Sequence, residues 1–449
     1  MIRVLWRKSI AILIVIMLSI TGCSAEPQTE YRSSIKVFFD PQGFEYTYRD
    51  FFDAAFPNLD VEVVYTDNAN YFSEPDPDAE LMKAIEEKQP DLIILPFYLS
   101  LYKKLADDGQ LVELSSRLSR NDGLTWDDIH PGVIEQLKQN EQGGIFGLAP
   151  LFETSLLYYN ADLFDTYGVD PPQDGMSWEE ILHLAIRFKT EAAGAEGIAG
   201  YHQMFAERPY DLITNIAGTE GIRPFDLKQK RMTIDTPQWR SVVHTVVEAL
   251  RHGAFTTEVI EAETIDGVKY FGPEDQARAD LFRQGKAAMT MDRYGSYTDV
   301  GFRAHAVVSP VNSSDRLRSD KAVRYFTIFA IRSGSEHVEQ VWEVLKYMNG
   351  ERVAQITALQ PDVMVYYNIS SHKAFPRYKK DPIADKIFNM LPVQTSYTDF
   401  SRLDKEFYDH YLPLFDREIG LAVSGELSVE QALANIQKEG QSLLEKYVK

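Results

Sequence analysis

The chain has 449 residues, 67 of them acidic against 46 basic, for a formal net charge of −21. Charge of that sign repels nucleic acid phosphates and anionic lipid head groups over most of the surface, which argues against DNA, RNA or peripheral electrostatic membrane binding. With 44% hydrophobic residues and a length beyond what one core ordinarily serves, two globular lobes are expected.

The first element is a leader. Met1 to Lys8 carries Arg3, Arg7 and Lys8 with no acid, and SIAILIVIMLSI, Ser9 to Ile20, is an almost unbroken apolar run. That run suits the core of an export signal and falls short of the roughly 18 residues that span a bilayer. Thr21 and Gly22 lead into Cys23, the single cysteine, which has no intrachain disulfide partner and no neighbouring metal ligands. Ile20-Thr21-Gly22-Cys23 resembles the lipobox of bacterial lipoproteins, and the resemblance implies cleavage before Cys23 and a thioether-linked lipid on it. Several acyl chains on one residue anchor a protein firmly. Residues 1–22 are therefore expected to be a signal and 23–33 a flexible tether, polar and interrupted by Pro27.

Beyond the tether, strand and helix patterns alternate. SIKVFFD (Ser34 to Asp40) predicts a strand and YTYRDFFDAAF a helix that ends at Pro57. VEVVY (Val61 to Tyr65), AELMKAIEEK and PDLIIL predict strand, helix and a buried parallel strand, making βαβαβ. Thr125 with Asp128, and Ser177 with Glu180, are capping boxes expected to open helices. Ser335 to Asn349 places Val338, Val341, Trp342 and Leu345 on one helical face. The alternation implies an α/β fold with open, mainly parallel sheets.

QPDLIIL (Gln89 to Leu95), FGLAPLFETSLLYYNADLFDTYGVDPP (Phe146 to Pro172), SWEEIL, FRQGKAAMTMD (Phe282 to Asp292) and SGELSVEQAL (Ser424 to Leu433) occur in one order. Together they resemble the extracellular solute-binding proteins of bacterial ABC importers, in the group that includes the maltodextrin binders. The resemblance implies a two-lobed, type II periplasmic-binding-protein-like fold with a small solute, a sugar or oligosaccharide, held between lobes. It implies a lipid-anchored monomer at the extracytoplasmic face of the membrane, delivering that solute to a permease, with no cofactor and no metal. Crossings between lobes are expected at Leu151 to Ser155, at Ala304 to Val311 and near Leu359 to Met364. Lobe one is then 34–152 with 312–355, and lobe two 153–311 with 356–449.

A sugar presents an apolar CH face for aromatic rings and a rim of hydroxyls for carboxylates, amides or Arg. All five Trp are accounted for by the leader or by helices, so stacking is assigned to Tyr or Phe. Glu153, seven residues before Asn160, matches a ligand-binding carboxylate of maltodextrin-type binders. MFAERPYDL resembles a lobe-two sugar loop and nominates Glu207 and Tyr210, although Arg208 departs from that pattern. In MTMDRYGSY, Arg293, Tyr294 and Tyr297 are candidates, with Tyr replacing a stacking Trp of relatives. Phe97 and Tyr98, past the carboxyl end of PDLIIL, occupy a crevice position, and Tyr411 lies on a late helix.

Other classes stay open. Tyr158-Tyr159 and Tyr366-Tyr367 resemble the adjacent tyrosines of ferric-ion binders, but neighbouring strand residues point to opposite faces, so such a pair delivers one hydroxyl to a cleft. GxSxG, HExxH, Walker A and GxGxxG motifs are absent, which disfavours an enzyme, while paired carboxylates for glycoside hydrolysis have no sequence signature. A lipoprotein presenting its ligand to a membrane sensor has the same sequence features.

Overall fold

The computed structural model describes residues 33–67, 76–96, 99–120, 122–190, 197–227, 229–255, 263–265, 268–359, 369–393, 403 and 405–447. β1 (Ser33–Phe38) pairs in parallel with β2 (Leu59–Val64) and with β3 (Leu92–Pro96). α1 (Pro77–Lys88) leads into β3, opened by the Asp76 carboxylate, which accepts from the Ala79 N–H at 3.0 Å. Leu92 to Leu95 are all buried, so the strand reads as a continuous apolar run rather than an alternation. α2 (Pro131–Leu137) follows. The Thr125 box is formed but opens a single 3-10 turn, Trp126–Asp128, because Ile129 returns to extended backbone at once.

β4 (Leu151–Glu153) belongs to this first sheet, and β5 (Ser155–Asn160) to a second one. Thr154 alone separates them. The second sheet adds β6 (Ala199–His202), β7 (Ala287–Arg293) and β8 (Ala304–Val308), in the order β8-β5-β7-β6. Around it lie α3 (Trp178–Thr190), α4 (Pro209–Thr219) and α5 (Pro237–Arg251). The Ser177 box does open α3, with the Ser177 N–H donating to Glu180 at 2.6 Å and the Glu180 N–H to Ser177 Oγ at 3.4 Å. β9 (Arg324–Ile331) and β10 (Ile369–Ser370) return to the first sheet, whose order is β10-β4-β9-β3-β1-β2. α6 (Val338–Met348) buries Val341, Trp342 and Leu345 against it.

Two expectations are corrected. The sheets are mixed rather than mainly parallel: β9 runs antiparallel to β3 and β4, and β5 antiparallel to β7 and β8. Strands that arrive from the other lobe come in against the direction of the local βαβ units. The expected assignment of 356–449 to lobe two also fails for its first part. Ile369 pairs with Phe152 at the edge of the first sheet, and Phe375, Ala384 and Ile387 are buried in the first core. The chain therefore joins the second core only after Val393, through α7 (Lys405–Ser424) and α8 (Val429–Tyr447), which bury Phe407, Ile419, Leu433 and Ile436. Residues 360–364 of the expected third crossing lie outside the described residues.

Period-two alternation divides β5 between the two cores. Leu156 and Tyr158 join the first apolar cluster, which continues along one face of the second sheet, and Leu157 joins the second. Tyr158 and Tyr159 thus face opposite ways; Tyr366 and Tyr367 lie outside the described residues.

His130, wholly buried, ties α2 to the crossing. Its Nδ1 accepts from the Gly132 N–H at 2.9 Å, capping α2, which leaves Nε2–H to donate to the Ile387 carbonyl at 3.2 Å. The ring lies between Phe152 and Phe388, each at 4.9 Å. Burial pushes its pKa down to about 4. The unfolded imidazole binds a proton near its ordinary value of about 6.5. Between those values the unfolded state holds more protons, so stability falls as pH drops from 6.5 to 4, by about 3 kcal/mol across the window. His130→Asn keeps a capping acceptor and is expected to be less stable at pH 7 yet to lose this part of the pH slope in urea titrations. An unchanged slope would refute the assignment.

Candidate ligand cavity at the crossing

A cavity of about 600 Å³ lies where the two sheets meet, a size that suits a small-molecule ligand. Strand ends build it. Glu153 closes β4, Ser155 opens β5, Arg293 closes β7 and Arg324 opens β9, and all four line the space. Ladder register sets their meeting, since Arg293 stands opposite Ser155 and Arg324 opposite Glu153. Arg293 Nη1 lies 4.0 Å from Glu153 Oε1, and Arg324 Nη1 lies 3.5 Å from Ser155 Oγ. Glu153 is only 7% exposed. Burial holds its carboxyl above the usual range, outweighing the attraction of Arg293 and Arg324.

The buried side of the cavity is aromatic. Trp178, the first residue of α3, meets Tyr201 of β6 edge to face at 5.5 Å and 89°. β6 can lie this close to α3 because Gly200 has no side chain; a Cβ there would sit 2.1 Å from the Ala185 carbonyl oxygen. The Trp178 indole N–H donates to Thr219 Oγ1 at 3.0 Å, and that hydroxyl donates to Asp320 at 2.6 Å. Gly218 leaves room for the Asp320 carboxylate, which a Cβ would meet at 2.8 Å. Asp320 pairs with Lys321 at 2.6 Å, Lys321 donates to the Asn215 carboxamide oxygen at 3.2 Å, and Asn215 donates to Gln203 at 2.9 Å. Lys321, Asn215 and Gln203 line the cavity. The chamber thus sets carboxylate, carboxamide and cationic groups, suited to hydroxyls or anionic oxygens, before a wall backed by buried rings. Among the described residues, no group of three or more His, Cys, Asp or Glu could hold a metal ion.

Of the residues nominated from sequence, Glu153 and Arg293 come together here. Tyr294 and Tyr297 do not line the cavity: the Tyr294 hydroxyl donates to Asp381 at 2.8 Å, and the Tyr297 ring packs on Phe282 at 4.7 Å and Tyr158 at 5.0 Å. Tyr210 lies edge-on to Phe415 at 5.0 Å, and Tyr411 is buried against Phe407 at 5.1 Å, so both serve the second core. Glu207 is also off the cavity, because MFAERPYDL turns into a helix start in which Asp211 accepts the N–H groups of Glu207 and Arg208, both at 3.0 Å. Phe97 and Tyr98 lie outside the described residues. Sequence reasoning missed Trp178, Tyr201, Gln203, Asn215, Lys321 and Arg324. Trp178 had a sequence signal: the residue after a capping box begins a helix whose N-terminus faces the strand ends.

The family model described as bacterial extracellular solute-binding protein matches residues 28–355. The sn-glycerol-3-phosphate-binding periplasmic proteins UgpB of Shigella flexneri and Escherichia coli are each 21% identical over 311 residues, which is 66% of this chain and 66% of theirs. In structure the chain is similar to the sugar-binding protein MalE from Xanthomonas citri, with a TM-score of 0.64 at 13% identity over 92% of this chain and 98% of that one. The substrate-binding protein Lmo0181 from Listeria monocytogenes, in complex with cycloalternan, gives 0.55 at 16% identity over 92% and 98%. Maltose-bound MalE3 from T. maritima gives 0.52 at 17% identity over 92% and 100%. These likenesses establish a type II periplasmic-binding-protein-like fold.

The Asp320–Lys321 pair holds the polar wall in place, with side chains 22% and 12% exposed. Asp320→Ala leaves Lys321 buried without its counterion and is expected to destabilise the protein by about 3 kcal/mol in urea unfolding. Asp165→Ala, at the exposed Arg303–Asp165 pair, is expected to change nothing measurable. Equal effects from the two would show that the wall is not held by this pair.

Proposed function

Since the chain belongs to the bacterial extracellular solute-binding proteins, we propose that it captures a sugar or oligosaccharide in the cavity at the crossing and delivers it to the permease of an ABC importer. The observation that supports this reading is the pairing, in one chamber, of Glu153 and Arg293 with the buried rings of Trp178 and Tyr201. A polyhydroxylated ring needs both kinds of surface. The protein acts as a monomeric carrier, without turnover. Lipid on Cys23 keeps it at the extracytoplasmic face beside the permease, and the acidic surface plays no part in anchoring.

A second reading has its own support. Arg293, Lys321 and Arg324 all line the cavity, and cations of this kind suit a phosphorylated polyol such as the one named for the UgpB relatives. The two readings share the cavity and differ in the charge of the guest.

A thermal-shift screen of a leaderless chain beginning at Ser24 separates them. Neutral sugars, maltose and maltotriose among them, are expected to raise the melting temperature, by mass action on the folded state; a shift with sn-glycerol 3-phosphate alone would favour the second reading. Glu153→Gln is expected to abolish most of the shift with the sugars. Because the folded pKa of Glu153 is raised, its contribution to stability is present below the ordinary carboxylate range and is lost as pH rises through the raised value. At pH 7 the amide therefore leaves the unliganded melting temperature equal or higher. A large fall would make Glu153 a structural residue.

Anchoring is tested separately. Cells fed an alkyne-tagged fatty acid should label the full chain and hold it in the membrane fraction, and Cys23→Ala should lose both properties. Labelling that survives the substitution would end the lipoprotein reading.

A further inference from the structure

Tyr201 is 0% exposed, lines the cavity, and its hydroxyl has no hydrogen-bond partner among the described residues. A buried hydroxyl without a partner is costly, and native structures keep few of them. Its neighbour shows the contrast, since the Trp178 N–H is matched by Thr219. The Tyr201 ring has little freedom to turn, with Trp178 against it at 5.5 Å and Phe255 at 5.9 Å. Burial also holds the hydroxyl well above the ordinary tyrosine range, so it stays protonated and able to donate.

Gln203 lies two residues on, the first residue past the carboxyl end of β6, and also lines the cavity. Residues two apart along a strand share a face. The Gln203 oxygen is taken by the Asn215 N–H, which orients the carboxamide and leaves its own N–H donors without a partner among the described residues. Lys321 fixes Asn215 in turn. Two donors therefore belong to the lining of one chamber, a buried hydroxyl and a half-buried amide.

We infer that Tyr201 and Gln203 form a donor pair that reads an acceptor oxygen at the inner end of the bound solute and so decides which solutes are retained. The inference rests on the solute-binding reading above and names its deepest contact. A guest whose inner end carries a hydroxyl or ether oxygen satisfies both donors; one with a CH group there leaves them stranded and is rejected.

The test uses the leaderless chain and isothermal titration with maltose, D-mannitol and sn-glycerol 3-phosphate as probes. For the probe that binds the wild type best, Tyr201→Phe and Gln203→Leu are each expected to weaken binding roughly tenfold. The unliganded melting temperature of Tyr201→Phe is expected to stay equal or rise, since the substitution removes only a hydroxyl that has no partner. Unchanged affinity in Tyr201→Phe, alongside a loss in Glu153→Gln, would overturn the donor pair and leave the solute-binding reading standing. Failure of the wild type to bind any probe would count against that reading instead, and the free-state measurement then decides for Tyr201. A lower melting temperature overturns the proposal whichever probe is used, because it would show the hydroxyl to be part of the fold.

Discussion

One carbonyl oxygen holds the junction together. The Lys321 carbonyl accepts both the Thr154 hydroxyl, at 3.1 Å, and the Ser155 N–H, at 3.2 Å, so the two strand-to-strand passages are joined at a single acceptor. The Tyr294 N–H donates to the Thr154 carbonyl at 3.0 Å and brings the end of β7 to the same place. Glu153, Ser155, Arg293, Lys321 and Arg324 all lie within a few residues of these bonds. Because buried backbone groups must be paired, the sequence positions of the crossings and the chemistry of the cavity are set by one requirement.

Much of this was legible in the sequence, and the failures have physical causes. The fold class followed from alternating strand and helix patterns. The crossing expected at Leu151 to Ser155 came from a turn running into the strand pattern of APLFETSLLYYN, and Glu153 from a spacing to Asn160 that resembles the maltodextrin-type binders. Arg293 was nominated through the resemblance of MTMDRYGSY to related sequences, not through a pattern of its own. Tyr210 and Tyr411 pack in the second core instead: Pro209 with Asp211 makes a helix start of the presumed loop at Tyr210, and nothing in the sequence of a helix tells which of its faces Tyr411 takes. Trp178 was dismissed because a helix position accounted for it, although a residue can start a helix and face a cavity at once. Tyr201, in a four-residue buried strand, gave no signal. Its role depends on what fails to meet its hydroxyl, and an absent partner has no pattern in one dimension.

Charge is divided between the exterior and the chamber. The chain as a whole is strongly acidic, yet Lys321, Arg293 and Arg324 stand together at the cavity. Glu153 is placed among them, and its burial holds its carboxyl above the usual range in spite of them. The wall behind it is backed by the buried rings of Trp178 and Tyr201 and carries no charge of its own.

The edge strand Ile369–Ser370 has a consequence for how the molecule comes into being. It completes a sheet begun at Ser33 by pairing with Phe152, and the opposite core is likewise finished only by the last two helices. Each half is completed by residues made late, the first by 369–387 and the second by the last two helices. Contacts between distant parts of a chain slow folding, and both cores depend on such contacts. A chain that must be threaded through a membrane before it acquires shape gains from cores completed by these late segments.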